Sequence, residues 1–200
     1  MFYFTSDTHF SSPRTLELSK RPFNSVREMD RTIISNWNNT VGEEDIVYHL
    51  GDFGDYNLRK YLNGSIVLLL GNYEHDDIRT GKIKHIVEFK DYGFDSVSKL
   101  SNISVQLFEY MDFIDDAYKK DLPETLFLSH EPENCVDINN SRFDKHTIFN
   151  LFGHIHKLQM VKRYGLNVGV DCHNFTPIDI NTVLFYRNGI LNHYDNNVFD

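Results

Sequence analysis

The sequence predicts an α/β fold with two sheets in one domain of 200 residues. Three observations carry that expectation. Short runs rich in Val, Ile, Leu and Phe recur along the chain, apolar on both faces as strands of a covered parallel sheet are. Helical patterns separate the first three of them, so residues 1–70 read as a βαβαβ unit with right-handed crossovers. From Ile86 onward the runs alternate polar and apolar residues, as half-exposed strands of a second sheet do.

The first run, Phe2 to Ser6, ends in Asp7-Thr8-His9. A polar loop through Ser11-Ser12-Pro13-Arg14 follows, then a helical turn over Thr15 to Lys20 that Arg21-Pro22 breaks. Ser25 and Glu28 have capping-box spacing, and Val26, Met29, Ile33, Ile34, Trp37 and Val41 share one face of the helix after them. The second run, Ile46 to Leu50, ends in Gly51-Asp52, where glycine permits a sharp turn. Tyr56 to Leu62 reads as a short helix closed by Asn63-Gly64. The third run, Ser65 to Leu70, ends in Gly71-Asn72, and a polar loop with a helical turn spans Asp76 to Lys84.

Ile86 to Phe89, Phe94 to Val97 and Ile103 to Phe108 are expected as strands, and acidic Met111 to Pro123 as a covering loop. Thr125 to Ser129 ends in His130, and the polar stretch Glu131 to Asp144 is expected to line a site. Ile148 to Phe152 ends in Gly153-His154-Ile155-His156. Leu166 to Val170 and Thr182 to Tyr186 are expected as strands, with Asn188-Gly189 as a turn.

Strand carboxyl ends share one edge of an α/β sheet, and ligands bind there. Five runs in one sheet would gather Asp7, His9, Asp52, Asn72, His130, His154 and His156. Oxygen and imidazole donors suit manganese, iron, zinc or nickel, and a set without cysteine does not point to structural zinc. Seven donors exceed the need of one ion and suit two that share a carboxylate. A single iron on two histidines and a carboxylate would use only three of them. His49, inside its run, reads as a hydrogen-bonded core histidine.

Composition narrows the partners. A hydrophobic fraction of 40% and an aromatic fraction of 14% exclude a disordered chain. The formal net charge of -9 argues against a broad nucleic-acid-binding surface, while bound cations would reverse the sign locally for a small phosphorylated substrate. Cys135 and Cys172 are read as free thiols in a reducing compartment, and no apolar run is long enough to span a bilayer. A cytoplasmic protein without membrane contact is expected, its oligomeric state open.

Asp7-x-His9, Gly51-Asp52, Gly71-Asn72-x-Glu74, His130 after a strand and Gly153-His154-x-His156 resemble the calcineurin-like metallophosphoesterases in identity, order and spacing. The resemblance runs from residue 2 to about residue 180 and is closest to small single-domain bacterial and phage members, where Arg21-Pro22-Phe23 and Asn167-Val168-Gly169-Val170-Asp171 also have counterparts. It implies a two-sheet β-sandwich flanked by helices over residues 1–200, with a dimetal site at strand carboxyl ends. It also implies two divalent ions, manganese first with iron, zinc or nickel as alternatives, and hydrolysis of a phosphomonoester or phosphodiester by a metal-held water.

By the same resemblance, Asp7, His9 and His156 hold one ion, Asn72, His130 and His154 the other, and Asp52 bridges them, with Asn72 and His130 also at the reacting centre. The family's acid histidine is replaced by Tyr73, followed by Glu74 and His75. A phenol of pKa about 10 is a poor proton donor near neutrality, which leaves His75 as the other candidate acid. It also leaves a second reading of the whole chain, a metal-binding module with little or no catalysis. Close relatives tend to carry Gly-His where Ser11-Ser12 stands here. Arg14, Arg21 and Tyr73 are candidate substrate contacts, although an arginine is more often solvated or structural, and Asp171 is expected to orient a ligand loop.

Overall fold

The computed structural model describes residues 1–98, 100, 102–136 and 147–192. Ten strands and four α-helices alternate along the described residues, with short 3-10 turns between them. β1 (Phe2–Thr5), β2 (Ile46–His49), β3 (Ser65–Leu68) and β4 (Ser96–Val97) lie side by side and parallel, and β10 (Ile178–Asp179) runs antiparallel along the free edge of β1. The second sheet is also mixed. Its parallel centre is β6 (Thr125–Ser129), β7 (Ile148–Phe152) and β9 (Gly165–Asn167), with β5 (Asn102–Gln106) and β8 (Val161–Lys162) antiparallel on its two edges. The helices are α1 (Pro13–Leu18), α2 (Val26–Thr40), α3 (Asn72–Arg79) and α4 (Ile180–Asn192).

Two apolar layers result. Phe4, Tyr48 and Leu50 from the first sheet meet Leu126, Leu128, Leu151 and Leu166 from the second, and α4 adds Ile180, Val183 and Leu184 to that cluster. On the other face of the first sheet, Val47, Ile66 and Leu68 pack against Met29, Ile33 and Trp37 of α2. These three recur about once per turn of α2 and are fully buried. Truncating the indole of Trp37 to Ala would cost about 3–5 kcal/mol. Ser25 accepts the Glu28 backbone N–H as the N-cap, but the Glu28 carboxylate takes the N–H of Asn24 at 2.8 Å instead of that of Ser25.

The structure corrects the sequence reading at three places. The five runs with polar ends divide between the two sheets, β1, β2 and β3 in the first and β6 and β7 in the second. Ile86–Tyr92 is a 3-10 helix, not a strand: Glu88 accepts the His85 N–H at its start, and Gly93, with φ of 96°, ends it. The short helix expected from Tyr56 is present as a 3-10 helix over Tyr56–Tyr61. The third correction is Thr182 to Tyr186, which lies within α4 together with the expected turn at Asn188-Gly189. Asp179 accepts both the backbone N–H and the hydroxyl of Thr182, and Ile180, Val183, Leu184 and Arg187 are buried at helical spacing. Of the expected loop at 131–144, residues 137–144 lie outside the described residues. No helix among the described residues is long and apolar enough to cross a membrane.

Candidate metal centre at the junction of the sheets

The polar strand ends still meet, because the two sheets are joined there. β1 and β2 pair through Thr5 and His49, and the pairing continues past both strands, with Asp7 N–H to Gly51 O and His9 N–H to Asp52 O, each 3.0 Å. Hydrogen bonds then cross between the sheets, one of them from the Val170 N–H, after β9, to Ser6 O at 3.0 Å. His130, after β6, bonds through Nδ1 to Leu50 O at 2.8 Å, and the His154 N–H, after β7, meets both oxygens of Asp7 at 3.1 and 2.9 Å.

Nine described non-glycine residues have positive φ, and five of them are Asp7, His9, Asp52, His154 and His156, between 47 and 70°. Asp and His tolerate this region better than most residues, yet it still carries strain of order 1 kcal/mol each, and such strain gathers at functional sites. The neighbouring glycines admit the close approach. A Cβ on Gly51 would meet the backbone of Gly71, and one on Gly153 would meet the Ser6 hydroxyl and the Asp7 carboxylate.

One donor group is Asp7, His9 and His156, and another is Asp7, Asp52 and His130; within each, the donor atoms lie within 4.8 Å of one another. Asp52 Oδ2 stands 3.5 Å from Nε2 of both His9 and His130, while Oδ1 accepts the Tyr73 N–H at 2.9 Å. His154 places its ring 5.2 Å from that of His130, and Asn72, at the start of α3, lines the open cleft above with an exposed side chain.

The chemistry of this set fits a cation. Both ring nitrogens of His9 and Nε2 of His130 are buried without a hydrogen-bond partner, each at a cost of about 1–3 kcal/mol that a metal ion would remove. Burial lowers the His9 pKa to about 4 despite Asp7 and Asp52, so its imidazole is neutral with a lone pair to give. Burial also opposes charge on His130, but Asp52, Asp7 and Glu74 outweigh it and raise its pKa to about 9. Burial disfavours the Asp52 carboxylate, yet His130, His9 and the Tyr73 N–H hold its pKa down to about 2. Asp7, His9, Asp52, His130 and His156 can hold a metal ion.

Glu74 and Thr8 were not assigned supporting roles from sequence, whereas Asp171 was expected to orient a loop of the site. Glu74 is fully buried and accepts the N–H groups of Asp52, Phe53 and Gly71 at 2.8, 2.9 and 2.8 Å, tying two ligand-bearing turns together. Its position three residues after Gly71, a capping-box spacing, was the signal for it. Asp171 accepts Nδ1 of His156, which leaves Nε2 as the free donor atom, so it orients a ligand side chain itself. Thr8 gives its proton to Phe53 O and therefore accepts from His49 Nε2, while His49 Nδ1 accepts the Gly51 N–H. His49 is a neutral core histidine, held by hydrogen bonds on both nitrogens.

Two candidate substrate or acid residues do not face the cleft. Arg21 is buried, and all its donors are taken, by both oxygens of Asp171, the carbonyls of Thr8 and Asp7, and the Met29 sulfur, so none is left for a ligand. His75 is exposed on α3 and does not line the cleft, because α3 presents Asn72, Tyr73 and Asp76 there. Arg14 and Tyr73 do line it, with Arg14 Nη1 donating to the Tyr73 hydroxyl at 2.9 Å. Both cysteines are free.

No protein-family model matches the chain. An uncharacterized protein of Methanocaldococcus jannaschii is 28% identical over 197 residues, covering 91% of this chain and 88% of its own length. The Gene 66 protein of Mycobacterium phage L5 is 26% identical over 190 residues, covering 84% of this chain and 86% of its own. The crystal structure of a protein of unknown function from Aquifex aeolicus superposes with a TM-score of 0.56 at 20% identity, over 89% of this chain and 94% of that one. That last likeness places the chain in a known two-sheet α/β fold.

Proposed function

We propose that this chain is a dimetal phosphoesterase of the calcineurin-like kind, hydrolysing a phosphomonoester or phosphodiester. The observation that carries the reading is Asp52 Oδ2 set between His9 Nε2 and His130 Nε2, the place of a carboxylate shared by two ions. On this reading Asp7, His9 and His156 hold one ion, Asn72, His130 and His154 the other, and Asp52 serves both. The ions, with manganese the first choice by donor type, supply Lewis-acid charge and a water of lowered pKa.

The chain's own residues bind and orient. Asp171 and Glu74 hold His156 and the Asp52 turn in place. Arg14 gives a cation on the cleft wall for a phosphate oxygen. Its bond to the Tyr73 oxygen leaves the phenolic proton free to point at a leaving oxygen, a hydrogen bond in place of full proton transfer.

The test is hydrolysis of nitrophenyl phosphate mono- and diesters with added manganese, for the parent and for Asp52→Asn. Turnover that needs the metal and falls at least about a hundredfold in the variant is expected. A second reading, a metal-binding module without catalysis, draws on the absence of an imidazole from the acid position and the outward-facing His75. Tight binding of two ions with no turnover of any ester would select it.

A further inference from the structure

The cleft above the donor groups has a volume of about 700 Å³, and its walls differ from its floor. The floor carries Asp52 with His9, His154 and His156. The walls carry Arg14, Lys20 and Lys157, none with a carboxylate partner among the described residues. Lys157 Nζ donates to the backbone carbonyl of Lys20 at 3.2 Å, which sets the Lys157 cation beside the Lys20 turn, and Arg14 is held by Tyr73. Asp76, the carboxylate on the wall, is already paired with Arg79 at 3.0 Å. In a chain of formal charge -9, three cations at one opening without a carboxylate partner among the described residues favour an anion there, beyond any held over the donor groups.

The same walls carry Leu18 and Leu158, which are 67% and 86% exposed. A lone exposed leucine needs no explanation; two in one charged cleft form an apolar surface beside the cations. Two leucines match a short flat group and fall short of the track that an acyl chain would cover.

We infer that the cleft takes a nucleotide-class ligand carrying a second phosphate. One phosphate lies over the metal centre, the second meets Arg14, Lys20 and Lys157, and the base covers Leu18 and Leu158. The inference names a substrate class for the dimetal site and rests on that reading.

The test is calorimetric titration of the full chain with thymidine monophosphate, thymidine bisphosphate and pyrophosphate, with manganese and again with chelator. In the parent the bisphosphate should bind at least about tenfold more tightly than the monophosphate. Lys20→Ala with Lys157→Ala should bring that ratio close to one, and Leu18→Ser with Leu158→Ser should weaken both nucleotides relative to pyrophosphate. Equal affinities for the two nucleotides in the parent, no binding of either, or indifference to the leucine changes would overturn the inference. Failure of the metal reading looks different: affinities unchanged by chelator, with the bisphosphate preference intact.

Discussion

His156 Nδ1 lies 2.7 Å from Oδ2 of Asp171 and donates to it, which points Nε2 toward the donor group it forms with Asp7 and His9. Burial opposes charge on Asp171, but His156 and Arg21 hold its pKa down to about 2, so the carboxylate stays an acceptor. Asp171→Asn turns a firm acceptor into an amide that can present N–H instead. Removing such an outer support typically costs about 10–100-fold in metal affinity. Calorimetric manganese titration should show one ion weakened by about that factor and the other little changed. Equal affinities in parent and variant would refute the orienting role.

Glu74 accepts three buried backbone N–H groups through one carboxylate. Glu74→Ala strands all three, so a loss of about 3 kcal/mol or more is expected in urea unfolding. Glu74→Gln should lie between, because its amide oxygen can keep Asp52 and Gly71 while its NH2 faces the Phe53 N–H. An alanine variant as stable as the glutamine one would show that these bonds carry little.

Acid should destabilise the ion-free chain through His49. Burial lowers its pKa from 6.5 to about 3, so as pH falls below 6.5 the unfolded chain takes the proton first. Stability is then present above 6.5 and lost at about 1.4 kcal/mol per pH unit on the way down to about 3. His49→Gln keeps an acceptor for Gly51 and a donor for Thr8 without titrating. Unfolding midpoints measured across that window, with chelator present, should fall less steeply in the variant; parallel slopes would remove His49 from the account.

Tyr73 can donate a hydrogen bond but is a weak acid, so the proposed esterase should favour esters with good leaving groups. Tyr73→His should raise rates on alkyl esters more than on aryl esters, by about a hundredfold at the low end of general acid catalysis. His75→Ala should leave both unchanged, since His75 faces away from the cleft. A rate series over graded leaving groups decides this, and a selective loss on alkyl esters in His75→Ala would return the acid role to that residue.

The sequence by itself determined the strand cores and the polar groups at their ends. Phe2 to Thr5, Ile46 to His49, Ser65 to Leu68, Thr125 to Ser129 and Ile148 to Phe152 are strands because continuous apolar runs bury both faces at once. The residues after them are Asp, Asn and His whatever the topology. Local sequence could not assign Thr182 to Tyr186, where strand-forming residues were outweighed by Asp179 at the helix start and by an apolar face that only packing rewards. Arg21 is an equally plain case: its charge suggested a ligand, and only the approach of Asp171, 150 residues away, consumes it. Tertiary structure alone joined the carboxyl ends of strands from the two sheets, where the five runs had been read as sharing one. Hydrogen bonds from His130 to Leu50, from His154 to Asp7 and from Val170 to Ser6 take part in that join, and bonds across 80 and 147 residues, as the first two are, leave no periodicity in a sequence.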